Sequence, residues 1–141
     1  MATAKVNCVM IPKFDKENYN LWKKRMMLFI EVSNPKYLVV LKKGPFIPMV
    51  IELEEKEGDI VIKPARQYQK DPSNYTTVDT EEVGLDLSLQ MILIDSLDSI
   101  MYNHVVNCKD AKHIWDTIEI INEGTEEVKE NMLEIDRKSV V

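Results

Sequence analysis

The sequence predicts a mainly α fold: a compact bundle of about five to six helices with a β-hairpin inserted around residues 49–63. Three observations carry that expectation. Apolar residues recur at helical spacing along most of the chain, capping residues stand just ahead of these runs, and one stretch switches to short β-branched runs around a glycine.

The first helix is expected over residues 18–33, where Tyr19, Trp22, Met26, Phe29 and Ile30 share one face and Lys23, Lys24 and Glu31 lie opposite. Asn34 and Pro35 suit the cap and first turn of a short second helix, which Gly44 and Pro45 end after Lys42. Residues 48–64 then read as two short strands, one carrying Val50, Ile51 and Leu53, the other Ile60, Val61 and Ile62, around a turn at Gly58. A lone two-stranded ribbon is barely stable in water, so it should move or pack on the helices. Residues 65–77 are polar, contain Pro72, and read as an extended loop.

Thr80 followed by Glu81 and Glu82 predicts a helix start, with the helix running to about Asp95. One row of Val83, Leu87, Met91 and Ile94 lies beside another of Leu85, Leu89 and Ile92, a stripe broad enough to suggest a central buried helix. Asp86, Ser88 and Gln90 would mark its exposed edge. A short helix through Val106 follows the break at residues 96–98. Asp110 then caps a helix to about Asn122, with Ala111, Ile114, Trp115, Ile118 and Ile121 on one face. Gly124 ends it, and Thr125 opens a last helix carrying Val128, Met132 and Ile135.

A chain of 141 residues with 45% hydrophobic and 30% charged residues can bury a core of its own, so one domain over residues 13–135 is expected. An arm precedes it at residues 1–12 and a tail follows at residues 136–141. The expected core anchors are Trp22, Phe29, Leu89, Ile92, Trp115 and Ile118, whereas Tyr37, Phe46 and Tyr102 have better odds of exposure. Eight methionines serve more simply as core filler than as a partner groove.

Cys8 and Cys108 are too few for a disulfide framework and fit a reducing compartment, the cytoplasm or the nucleus. No apolar run approaches the roughly 18 residues of a membrane span, so no membrane partner is expected. The net charge of −6 opposes nucleic-acid binding by the molecule as a whole. Basic residues nevertheless gather in the first third. Lys13, Lys16, Lys23, Lys24, Arg25, Lys42 and Lys43, with Lys36, are a candidate patch for RNA or an acidic protein if the helices bring them together; a plain solvated face is the simpler reading.

Reactive constellations are missing. His104, Cys108 and His113 cluster in sequence but supply only one C-x4-H fragment of a zinc knuckle. Pairing either histidine with Ser96, Ser99 or Cys108 gives no known nucleophile signature, and the four glycines form no phosphate loop. Asp95, Asp98 and Asp110 stand at helix boundaries, where capping explains them. The reading is therefore a binding protein with no catalytic residue, metal, cofactor or small-molecule substrate.

The motif Lys13-Phe14-Asp15 with Asn18-Tyr19-Asn20-Leu21-Trp22, then Val83-Gly84-Leu85-Asp86 and Ile94-Asp95-Ser96-Leu97, then Ala111-Lys112-His113-Ile114-Trp115-Asp116, and finally Gly124-Thr125-Glu126-Glu127-Val128 resembles the capsid region of plant copia-type (Ty1/copia) LTR retrotransposon Gag. The match runs over residues 11–134. Lys16 stands where the family's first motif often has glycine, and the family continues past Glu134 into a second capsid half. The resemblance implies an N-terminal capsid-like domain that associates with itself, with related Gag or with a host protein. It further implies either a piece of a longer Gag or a domesticated element, which could act as a truncated, assembly-interfering form. RNA binding through the basic first third is the alternative. A nucleocapsid knuckle, protease, integrase and reverse transcriptase, which accompany such a domain in the polyprotein, have no counterpart in this sequence.

Overall fold

Asp15 opens the folded body in a computed structural model that describes residues 10–124. Its carboxylate accepts from the backbone N–H of Glu17 and the side chain of Asn18, capping a 3-10 turn, Lys16–Asn18. Helix α1, Tyr19–Ser33, follows directly and buries Tyr19, Trp22, Met26 and Ile30 at the expected spacing. At its end the Asn34 side chain accepts from the N–H of Lys36, starting α2, Lys36–Lys43, which buries Val40 and Leu41. Gly44 closes α2 at φ +89°, a conformation side-chain-bearing residues rarely adopt.

The inserted hairpin is longer than the sequence suggested. Strand β1, Met49–Glu52, pairs antiparallel with β4, Arg66–Gln69, and only beyond them does β2, Glu55–Glu57, meet β3, Ile60–Lys63. The segment expected as loop therefore supplies β4 and a 3-10 turn, Pro72–Asn74. Strand β4 shows no alternation of buried and exposed faces, because every one of its residues is exposed. What aligns the strand is polar: the Arg66 guanidinium forks onto Glu52, and Tyr68 Oη donates to the same carboxylate over 3.1 Å.

Helix α3, Thr77–Ser96, begins three residues before the expected start. Thr76 and Asp79 form a reciprocal capping box, which outcompetes Thr80; the Thr80 hydroxyl turns back onto the Thr76 carbonyl. Asp98 caps α4, Ser99–Val105, and Asp110 caps α5, Ala111–Glu123, each accepting from the amide three residues on. Gly124, at φ +87°, ends α5. The helix expected from Thr125, like Cys8, lies outside the described residues. No helix among those described is long and apolar enough to cross a membrane.

One mainly α body results, with a single core drawn from all five helices. Trp22 is its hub: Phe14 meets the indole edge-on at 5.1 Å, while Tyr19 and Trp115 lie tilted against it at 6.0 and 5.7 Å. Such ring pairs add about 0.5–1.5 kcal/mol each beyond burial. Trp22, Leu89, Trp115 and Ile118 are buried, whereas Phe29 and Ile92 are only half-buried and pack on the rim of the core.

The orientation of α3 departs furthest from expectation. Leu89 and Leu93 are buried, while Leu87, Met91 and Ile94 face outward. Asp86, expected at the exposed edge, is buried and accepts from the Ala111 amide over 2.9 Å and from Gln90 over 2.7 Å. An apolar stripe spread around the helix cannot fix its rotation. Asp86, needed at the α5 N-terminus, and Ser96, needed by Trp22, sit on the same side as Leu89 and Leu93 and set it instead.

Candidate interaction surfaces

The basic residues of the first third do not form one free patch. Lys23 is half-buried, its ammonium held between Glu119 at 2.9 Å and Glu123 at 2.7 Å, so it ties α1 to α5. Burial alone would lower its pKa, but the two glutamates overcome that and raise it. Beside it the Tyr19 phenol, buried and donating to Glu123, is pushed well above its ordinary value. Lys13 donates to the Asp95 carbonyl over 3.0 Å.

Lys16, Lys24, Arg25, Lys42 and Lys43 are exposed. Lys42 borders a groove that also holds Lys112, Asp116 and Glu119; Lys43 borders another with Lys36 and Glu82, which pair at 3.1 Å. Acidic side chains thus interleave with the cations along α2. Arg25 stands at the edge of an open, almost wholly apolar groove of about 400 Å³ along α1, lined by Met10, Pro12, Leu28, Phe29 and Val32.

The residues weighed for chemistry are dispersed into local contacts. His113 Nδ1 lies 3.4 Å from the Lys109 amide, Cys108 Sγ lies 3.6 Å from Thr117 Oγ1, and His104 is exposed on α4. Asp98 and Asp110 act as helix caps. Among the described residues no group of three or more His, Cys, Asp or Glu side chains is placed to hold a metal ion.

Apolar surface is the more distinctive feature. On α3 the row of Leu87, Met91 and Ile94 is exposed, and on the β-ribbon so are Ile51, Leu53, Ile60, Val61 and Ile62. Scattered apolar side chains are ordinary on a protein surface, but rows along one element are the usual mark of a contact surface. The base of the ribbon is tied to the body through α3. The Lys70 amide donates to the Pro48 carbonyl, and its ammonium pairs with Asp79 at 2.7 Å. Sequence reasoning missed Asp79, Asp86 and Ser96 as contact-making residues. A polar residue inside an otherwise apolar helix, as Asp86 is, was the available signal.

Comparison of the chain with protein-family models, with curated proteins and with solved structures yields no match.

Proposed function

We propose that this chain is a capsid-like structural protein of the retrotransposon Gag type, acting by association with itself, with related Gag polypeptides or with a host protein. The exposed apolar row of Leu87, Met91 and Ile94 on α3 is the observation that carries the reading. A 20-residue helix that spends three large apolar side chains on solvent gains nothing from them in the monomer, and recovers their burial when a second surface covers them. Support also comes from the Gag-like motifs, whose residues Phe14, Tyr19, Trp22, Ala111, Ile114 and Trp115 belong to the core cluster. Such motifs would then specify the fold, leaving the contact surfaces free to vary.

RNA binding draws less support. Lys23 is closed off by its two glutamates, and Glu82, Asp116 and Glu119 lie among the cations of α2.

The deciding experiment is solution mass by sedimentation over a range of concentration, alone and with a copia-type Gag polypeptide. The expected result is a mass that rises with concentration or on mixing. A constant monomer mass in both series would sink the proposal. RNA affinity measured against salt tests the weaker reading, since neutralising several phosphates requires a steep fall as salt rises.

A further inference from the structure

Two apolar features on different helices have opposite shapes. On α1 the groove bordered by Arg25 and lined by Leu28, Phe29 and Val32 is concave, with a volume of about 400 Å³. On α3 the row of Leu87, Met91 and Ile94 is a ridge, with Met91 66% exposed. Leu87 and Ile94 stand one heptad apart, as do Arg25 and Val32, so ridge and groove both run about 10 Å. Rows of side chains on one helix pack into the grooves of another.

The charges are opposite as well. Helix α3 contains no Lys or Arg, and Glu81 and Asp95 are exposed where they flank the row. The outward side of α1 carries Lys24 and Arg25, both exposed. None of these four side chains has an ion-pair partner among the described residues. Gly84 lies one turn before Leu87 on the same side of α3, and beyond its own stretch of helix backbone a Cβ there would meet no atom within 4 Å. Glycine inside a helix weakens it relative to alanine, and no packing within the described residues accounts for that cost.

We propose that the α1 groove of one copy of this chain receives the α3 row of a second copy, with the two helices antiparallel. This rests on the self-association reading and names the surface that covers the row. With Met91 over Leu28, the antiparallel direction sets Leu87 against Val32 and brings the incoming Asp95 to Lys24 and Arg25. Gly84 then comes to Pro35, at the corner between α1 and α2, where a larger residue would hold the surfaces apart. The parallel direction brings Asp95 to Glu31 instead, and like charges across an interface repel. Pairing α3 with α3 gathers two acidic helices without a single cation between them. Pairing α1 with α1 sets groove against groove and fills neither. One pair of helices makes a small interface, so the association is weak and depends on concentration.

The test uses the whole chain at low salt, with sedimentation read up to concentrations on the order of hundreds of micromolar. Three variants are compared with the wild type: Arg25→Glu at the groove, and Met91→Lys and Asp95→Lys at the row. All three positions are exposed, and unchanged circular dichroism and Tm establish that each variant folds. The wild type is expected to associate. Each variant alone should do so about 10-fold more weakly, because it sets like charges together or buries a lysine in the apolar groove. An equimolar mixture of Arg25→Glu and Met91→Lys should recover association, since the first keeps an intact row and the second an intact groove. Should Met91→Lys lower Tm, Asp95→Lys takes its place in the mixture. Variants that weaken without recovering on mixing overturn the contact of groove with row. If only the groove variant weakens, or only the row variants do, like faces meet; if none weakens, the contact lies elsewhere. Either result overturns this pairing alone and leaves the function proposed above. Asp95→Lys matching the wild type while Met91→Lys weakens overturns the antiparallel direction. A wild type that is monomeric alone but heavier with Gag overturns the pairing of copies and keeps that function. One that stays monomeric in both series overturns the two together.

Discussion

Trp22 Nε1 donates to Ser96 Oγ over 2.7 Å in the interior, and the same hydroxyl donates on to the Pro12 carbonyl over 2.6 Å. One side chain near the end of α3 thus satisfies the indole of α1 and a carbonyl of the entering chain, while its own backbone carbonyl accepts from the Phe14 amide. Ser96→Ala should cost about 1–3 kcal/mol, the penalty for leaving a buried donor without a partner. Urea unfolding followed by tryptophan fluorescence measures it, and a change within the error of a surface substitution would refute the relay.

Asp86 holds the start of α5 from the middle of α3. Replacing it by alanine removes an acceptor from the buried Ala111 amide and should destabilise by about 1–3 kcal/mol; Asp86→Asn, which keeps an acceptor oxygen, should cost less. The ordering of the two variants in chemical denaturation is the check.

The outward row on α3 predicts a contrast between neighbours. Met91→Lys should change the unfolding free energy by no more than about 0.5 kcal/mol, whereas Leu93→Ala, two positions along and fully buried, should cost about 2–5 kcal/mol. A large loss at Met91 would mean that α3 is rotated from the orientation described.

Acid should weaken the fold partly through Asp79. The Lys70 ammonium first, then the Thr76 amide, hold its carboxyl below the ordinary carboxylate value of 3.8. A carboxylate whose pKa is lower folded than unfolded contributes stability above the unfolded value, and loses it as pH falls through the folded one. Tm should therefore drop below about pH 4, and Asp79→Asn should flatten that drop. A residual slope is expected from Asp15, Glu52 and Asp71, whose values are also lowered.

Helices were legible where one apolar face was narrow and a cap stood ahead of it. Tyr19, Trp22, Met26 and Ile30 define α1 unambiguously, and Asp110 with Ala111, Ile114, Trp115 and Ile118 defines α5. Helix α3 was legible as a helix but not in its rotation, because its apolar residues surround it and two buried hydrogen bonds to distant residues choose the inward side. Strand β4 was illegible for a related reason. Its pairing depends on Arg66 and Tyr68 reaching Glu52, a long-range polar contact that leaves no periodic trace. Of the candidate surfaces, the basic residues could be counted but not their neutralisation, since Glu119 and Glu123 stand about a hundred positions from Lys23.

The Pro48 carbonyl and the Lys70 amide meet at 2.9 Å, so the chain leaves the helical body and returns to it at nearly one point. Whatever lies between those two residues is topologically a detour. Residues 49–69 could be shortened, lengthened or exchanged for a short linker while α2 and α3 keep their places, because closing a loop between ends already held together costs little more as its length changes. A lineage could therefore redesign the ribbon, and with it the choice of what the molecule meets, without renegotiating the core.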